Sequence, residues 1–231
     1  MKIAVISDIH SNLPAFRSVM EDIRGKEPEY IICLGDIVGY GPDPNKVIEL
    51  MEEDAREIIS VKGNHDEAVL GGKIRKLRSN ASKAVEWTKN NISDESLGVL
   101  GNMEKYETVE MDGYRFFTVH GSPDDPLNEY VDKDSSEERL NGFFEKTGAE
   151  VMLMGHTHVP YVRYLDRGLI LNPGSVGQPR DKDRRASYAV IDTNQEDADI
   201  HRVPYDIDKI AKEIKASKLP DQLAERLYYG H

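Results

Sequence analysis

The sequence predicts an α/β fold in which helices pack against sheets that contain parallel strands. Three observations carry this expectation. Short uninterrupted apolar runs alternate with amphipathic stretches over the first 66 residues, strand-like runs resume after about residue 105, and the segment between them is helical in pattern and polar.

The runs "KIAVIS" (2–7), "YIICLG" (30–35) and "EIISVKG" (57–63) read as strands, with helices from Leu13 to Arg24 and from Pro44 to Ala55 between them. This β-α-β-α-β order implies parallel strands with helices on the faces of the sheet. From about Asp66 to Lys105 the pattern is helical, with the lone Trp87 as a packing anchor. A hairpin follows, "YETVEM" (106–111) and "YRFFTVHG" (114–121) joined by the turn pair Asp112–Gly113. The segment "SPDDPLNEYVDKD" (122–134) contains two prolines and reads as a loop, after which Ser135 or Ser136 can cap a helix that starts with Glu137 and Glu138. The apolar run at 151–154, a hairpin through Tyr161–Leu171, "SYAVID" (187–192) and "DIHRVPY" (199–205) supply further strands. Terminal helices are expected at Lys209–Lys218 and Gln222–Tyr228. With no repeat and no linker-like tract, one domain over 1–231 is expected, with a helical insert at about 66–105 and C-terminal helices at about 206–228.

Composition narrows the function. With 42 acidic and 30 basic residues the net charge is −12, which opposes binding to long nucleic acids or anionic membranes but not to divalent cations. The single cysteine, Cys33, lies inside an apolar run and reads as a core residue. The N-terminal apolar stretch is too short for a signal peptide and no run approaches spanning length, so a cytoplasmic protein is expected.

The polar residues fall in a pattern. Each apolar strand ends in groups that bind metals or accept protons: Asp8 and His10 after the first, Asp36 after the second, Asn64, His65 and Asp66 after the third. His120 follows the hairpin strand, and His156 and His158 follow the run "VMLM". Any one of these alone reads as a turn residue, a cap or a core histidine. Five of the seven histidines directly follow strands, however, and only His201 and His231 do not. Parallel strands share a C-terminal edge, where open α/β sheets hold ligands. Carboxylates, imidazoles and one amide without thiolate suit Mn, Fe, Zn, Co or Ni. Seven such donors exceed one tetrahedral ion and suit two ions sharing a carboxylate, an arrangement that serves phosphoryl transfer to water.

The blocks "SDIHSN" (7–12), "LGDIVGYGP" (34–42), "KGNHD" (62–66), "VHG" (119–121) and "GHTH" (155–158), in this order, resemble the calcineurin-like metallophosphoesterase superfamily, and "NPGSVGQPRD" resembles its small bacterial and archaeal phosphoesterases of the phosphodiesterase-like branch. The resemblance implies a layered β-sandwich of mixed sheets flanked by helices in four layers. It implies that Asp8, His10 and His158 bind one divalent metal, that Asn64, His120 and His156 bind a second, and that Asp36 bridges them. Manganese is the first expectation, with Fe, Zn, Ni or Co as alternatives. His65 would protonate the leaving oxygen or stabilise charge on it, with hydroxide held by the metals as nucleophile.

One departure stands out. Where protein Ser/Thr phosphatases of the superfamily carry an Asp-Arg pair, this chain has Gly39 and Tyr40. A phosphoprotein substrate is thereby disfavoured, and Asp66 becomes the candidate support for His65. Asn172 and Arg180 are candidate replacement contacts for phosphate, arginine because its fork donates two parallel hydrogen bonds. Tyr40 can stack on a base or pack in its loop. The expected activity is hydrolysis of a small phosphodiester, phosphomonoester or nucleotide. The alternatives are a dinucleoside polyphosphate hydrolase or nuclease of the same superfamily, and a non-catalytic metal-binding scaffold.

Overall fold

The computed structural model describes residues 1–72 and 79–231, so part of the expected helical segment, 73–78, lies outside the described residues. In chain order the elements are β1 (Lys2–Ile6), α1 (Leu13–Arg24), β2 (Tyr30–Cys33), α2 (Pro44–Glu52), β3 (Glu57–Ser60) and α3 (Asn64–Val69). Then come α4 (Ser79–Lys89), α5 (Asp94–Asn102), β4 (Tyr106–Met111), β5 (Tyr114–Val119), α6 (Glu137–Thr147) and β6 (Val151–Met154). The chain continues through β7 (Tyr161–Leu165), β8 (Gly168–Asn172), β9 (Ala186–Asp192), β10 (Asp197–Val203), α7 (Ile207–Ala216) and α8 (Asp221–Glu225), and a 3₁₀ turn at Arg226–Tyr228 follows.

The strands form two mixed five-stranded sheets, ordered β10-β9-β1-β2-β3 and β4-β5-β6-β8-β7. In the first, β1 pairs in parallel with β2, and β2 with β3, while β9 runs antiparallel to β1. In the second, β5, β6 and β8 are parallel neighbours. This is the layered arrangement of mixed sheets that the family resemblance implies, whereas the strand order alone suggests helices on both faces of one sheet. Alternation along β1 sends Ala4 and Ile6 toward α1 and α2, but sends Ile3 and Val5 toward Phe116, Val151 and Leu153 of the other sheet. On the far side, Phe117, Val119, Met152 and Met154 pack against Leu140, Phe143 and Phe144 of α6. Four layers result, helix–sheet–sheet–helix, because both central strands are apolar on both faces.

Local sequence fixes the helices. Asn12 accepts a hydrogen bond from the Ala15 N–H and Pro14 sits in the first turn, so α1 starts there and buries Phe16, Val19, Met20 and Ile23. Burial of each such large side chain contributes about 1.5–3 kcal/mol. Ser136, rather than Ser135, caps α6, which stops at Gly148 in a left-handed conformation. Trp87 is partly buried against the cluster where α4 meets α7 and α8. Several boundaries differ from expectation: α2 stops at Glu52 rather than Ala55, β3 ends at Ser60 because Gly63 already caps α3, β10 begins two residues earlier, in register with β9, and α7 begins at Ile207 rather than Lys209. No helix among the described residues is long and apolar enough to cross a membrane.

Candidate metal centre

The loops after β1, β2, β3, β5 and β6 meet at one end of the two sheets, tied by backbone hydrogen bonds. The Asp8 and His10 N–H groups donate to Gly35 O and Asp36 O, both at 3.0 Å, and the Gly155 N–H donates to His120 O at 2.9 Å. A third strap comes from 172–180: the Val176 and Gly177 N–H groups donate to Ser7 O and Asp8 O at 3.0 and 2.9 Å. These bonds hold backbone that L residues rarely adopt. Asp8 (φ 54°), His10 (50°), Asp36 (52°), His156 (66°) and His158 (60°) are all left-handed, at a cost of about 1–3 kcal/mol each.

The turns aim acceptor atoms at one another. The Nδ1 atoms of His10, His120 and His158 face the carbonyls of Val38, Leu34 and Gln178 at 3.2, 2.8 and 2.5 Å. A carbonyl only accepts, so each Nδ1 carries the proton and each Nε2 presents a lone pair. Those lone pairs point at other acceptors. His10 Nε2 lies 3.2 Å from His158 Nε2, and His158 Nε2 lies 3.1 Å from Asp8 Oδ1. His120 Nε2 lies 3.1 Å from Asn64 Oδ1 and 3.0 Å from His156 Nδ1. Asp36 Oδ1 accepts the His65 N–H at 2.7 Å, while Asp36 Oδ2 sits between the groups, 3.7 Å from His10 Nε2 and 3.4 Å from His120 Nε2. Asp8 Oδ1 is buried and accepts no hydrogen bond among the described residues. Buried acceptors facing acceptors are costly unless a cation lies between them. Ligand atoms sharing an ion at ~2.1 Å each lie about 3–3.4 Å apart. The donor set therefore fits two cation positions with Asp36 between them. Asp8, His10 and His158 form one cluster, and Asp36, His120 and His156, with Asn64 alongside, form another, while His10, Asp36 and His65 also lie within ligating distance of one another between them.

The electrostatics agree. Burial opposes ionisation of Asp8 and Asp36, but the surrounding imidazoles outweigh it and hold both carboxyls well below the usual range. Burial lowers His156 to about 3, helped by His120, and lowers His158 to about 4, helped by the Arg180 charge. Burial also works to lower His120, yet the Asp36 and Asp8 charges push it up to about 9. The attraction that draws a proton onto His120 is the one a cation would use.

The remaining candidate residues divide. His65 is buried beside the clusters, its ring centroid 4.9 Å from that of His10, and its Nδ1 has no hydrogen-bond partner among the described residues. Tyr40 wedges against both rings, 4.5 Å from His10 and from His65, and lines the cleft above them. Arg180 lines the same cleft, bonded to Gln178 and partnering the Tyr40 hydroxyl, with a buried Nε that donates no hydrogen bond among the described residues. Two expectations need correction. Asp66 does not support the His65 ring: its carboxylate accepts the N–H groups of Val38 and Gly63 at 3.1 and 2.9 Å, bracing the second loop against the start of α3. Asn172 is fully buried, donating to Gly155 O and Thr157 Oγ1 and accepting the Gly174 N–H. Its amide holds the "GHTH" turn and has no group left for substrate.

Sequence reasoning missed Tyr130, whose ring stacks on His156 at 4.0 Å and lines the cleft. A lone aromatic in the polar, proline-bounded loop 122–134 was the available signal. It also missed Asn12 and Ser175, which bond Gly177 O and Asp8 O and so lock the first loop to the third strap.

Comparison with known proteins adds to this geometry. A family model described as the calcineurin-like phosphoesterase superfamily domain matches residues 1–196. An uncharacterized protein of Methanocaldococcus jannaschii is 37% identical over 245 aligned residues, covering 99% of this chain and 98% of its own length. The crystal structure of a metallophosphoesterase from Sphaerobacter thermophilus is 34% identical, with a TM-score of 0.84 over 100% of this chain and 99% of that one. The phosphodiesterase YfcE of Escherichia coli is 27% identical over 84% of this chain and 89% of its own.

Proposed function

Because the chain belongs to the calcineurin-like phosphoesterase superfamily, we propose that it is a dinuclear metal-dependent hydrolase of small phosphoesters. Asp8, His10 and His158 hold one divalent ion, Asn64, His120 and His156 hold the other, and Asp36 is shared. The observation that carries the reading is the position of Asp36 Oδ2, between two groups of buried imidazole and carboxylate donors that a pair of cations would join. When bound, two such ions supply Lewis-acid stabilisation of a phosphoryl oxygen and a water of lowered pKa.

The chain's own residues do the rest. Burial pushes His65 down to about 3, against the pull of Asp36, and nearby cations act in the same direction. His65 is thus a neutral imidazole at pH 7, and it serves the leaving oxygen as a hydrogen-bond donor rather than as an imidazolium acid. Its ring is fixed by Tyr40 on one side, and its backbone N–H, held by Asp36 Oδ1, couples its position to the shared carboxylate. Arg180 brings a permanent charge to the cleft where the phosphate would sit. No serine or cysteine nucleophile is required.

Elemental analysis of wild type and Asp36→Asn tests the centre: two ions per chain are expected in the first and fewer in the second. Two ions still held tightly by Asp36→Asn would sink the shared-carboxylate reading. A screen of Mn²⁺, Ni²⁺ and Co²⁺ against phosphomonoesters, phosphodiesters, cyclic nucleotides and dinucleoside polyphosphates identifies the bond cleaved.

A further inference from the structure

We propose that Tyr130 is a stacking platform for the organic group of the substrate, so that the cleft selects phosphoesters whose alcohol carries a planar aromatic ring. The inference rests on the phosphoesterase reading for its phosphate and on the geometry of the cleft for its ring. Tyr130 is 53% exposed, while the rings that surround the metal clusters are buried or half-buried. One of its faces lies on His156, with centroids 4.0 Å apart and planes 28° from parallel. The exposure comes from the remainder of the ring, which borders a cleft of about 940 Å³. That is far more room than a phosphate group needs, and lies within the size range of sites for drug-sized ligands, about 300–1,000 Å³.

The exposure is built in, because both neighbours of Tyr130 are pinned. The Glu129 carboxylate accepts from the Ser122 hydroxyl and pairs with Arg139 at 2.7 Å. Val131 is buried in the outer core and its carbonyl accepts the Tyr161 hydroxyl at 2.8 Å. A backbone held on both sides presents the ring with little freedom left to lose on binding, which is what makes an aromatic an efficient contact. His156 links the two ends of the site, since its Nδ1 faces His120 while its ring carries Tyr130. A phosphate at the clusters therefore leaves its alcohol group beside Tyr130. Around the same cleft stand the amides of Asn80 and Gln222, hydrogen-bonded to each other at 2.6 Å, and of Asn128, which donates to Asp125 at 2.9 Å, so that the edge of a heterocycle would compete for these bonds. Nucleosides and simple aryl esters are the two sources of such a ring.

Matched monoesters separate them. Initial rates of the manganese-loaded protein are measured with AMP, phenyl phosphate and ribose 5-phosphate, which share the phosphate and differ in the ring. A KM about ten-fold or more lower for AMP, or for AMP and phenyl phosphate, than for ribose 5-phosphate is expected from one stacked ring. In Tyr130→Ala the ratio of KM between the aromatic esters and ribose 5-phosphate falls to about one, and Tyr130→Phe restores it. An advantage for AMP alone assigns the amides to reading a base; an advantage for both assigns the ring. Equal KM for all three in wild type overturns the proposal, as does a Tyr130→Ala variant that slows all three alike and loses metal, since Tyr130 would then only position His156. Saturation transfer to the base protons of adenosine, present in wild type and lost in Tyr130→Ala, reads the contact with neither phosphate nor turnover. If the loaded chain hydrolyses no phosphoester, the phosphoesterase reading fails alone, and adenosine binding still decides Tyr130.

Discussion

Replacing Gly39 by alanine should cripple turnover while leaving the metal centre filled, and the size of the effect follows from two separate strains. Gly39 has φ +95°, a conformation that costs an L residue about 1–2 kcal/mol. For a chain of this length that corresponds to a fall in Tm of about 2–8 °C. The second strain is local. A Cβ at position 39 would overlap His65 Nδ1 and lie 3.1 Å from its Cγ, inside the 3.4 Å at which ordinary contact begins. The imidazole must retreat by about 1 Å, a misplacement that costs on the order of 10²-fold in rate. Gly113, in the β4–β5 turn, supplies the control: its φ is +83° but an added Cβ meets nothing within 4 Å. Gly113→Ala should lower Tm by a similar amount and leave kcat untouched. The assay is kcat on an aryl phosphodiester beside metal content and thermal unfolding for wild type and both variants. A Gly39→Ala enzyme with two bound ions and a kcat within two-fold of wild type would refute the claim that the glycine makes room for a working His65.

Three more outcomes follow from the site. His65→Ala should keep both ions and lose about 10²–10³-fold in kcat; elemental analysis with steady-state rates checks it, and unchanged turnover removes His65 from the mechanism. Arg180→Ala should raise KM by roughly 10–100-fold through loss of a charged hydrogen bond, with Arg180→Lys recovering only part of the loss; a KM equal to wild type would return Arg180 to a structural role. Asn172→Ala strips the "GHTH" turn of two hydrogen bonds from the Asn172 amide and Gly174 of a third and should destabilise the chain by about 1–3 kcal/mol, seen in urea unfolding, with weaker retention of metal on dialysis; an unaltered midpoint would show that the turn holds itself.

The candidate ligands were legible because two independent signals coincide in them. An apolar run ends a strand at a defined place, and parallel strands put those ends at one edge, so Asp8, Asp36, Asn64 and the histidines could be gathered without knowing the tertiary structure. That β5 and β6 belong to a second sheet follows from the family resemblance but not from the apolar pattern, because β2 and β6 are both uninterrupted apolar runs and would look alike packed by helices on two faces or by a helix and a sheet. Asp66 misled for a related reason. A carboxylate beside a catalytic histidine suggests support for the ring, yet its place as the third residue of α3 also suits it to accept the Gly63 N–H, and the structure has it doing that. Tyr130 offers only a weak signal, a lone aromatic in a polar loop with no periodicity, and its stack on His156 is what distinguishes it from chance exposure.

The loop 172–180 shows why chemistry and support are hard to separate in such a chain. Its residues looked like a phosphate grip, and Arg180 retains that possibility, but most of the loop's polar groups are spent on the centre's backbone. Val176 and Gly177 bond Ser7 and Asp8, Ser175 reaches Asp8 O at 2.8 Å, the Gln178 carbonyl fixes the His158 ring, and the Arg180 N–H bonds His158 O at 3.1 Å. Asp8 and His158 are two of the residues held in left-handed backbone. Two positions at about 1–3 kcal/mol each are a large share of a stability that totals only about 5–15 kcal/mol, so they persist only where neighbouring bonds over-determine them. The strap meets that need from a part of the chain more than 160 residues beyond Asp8. It follows that the strain and the geometry of the candidate centre are one feature: relaxing the backbone at Asp8 or His158 would swing Oδ1 and Nε2 apart, and the 3.1 Å approach on which the proposed first cation position rests would be lost.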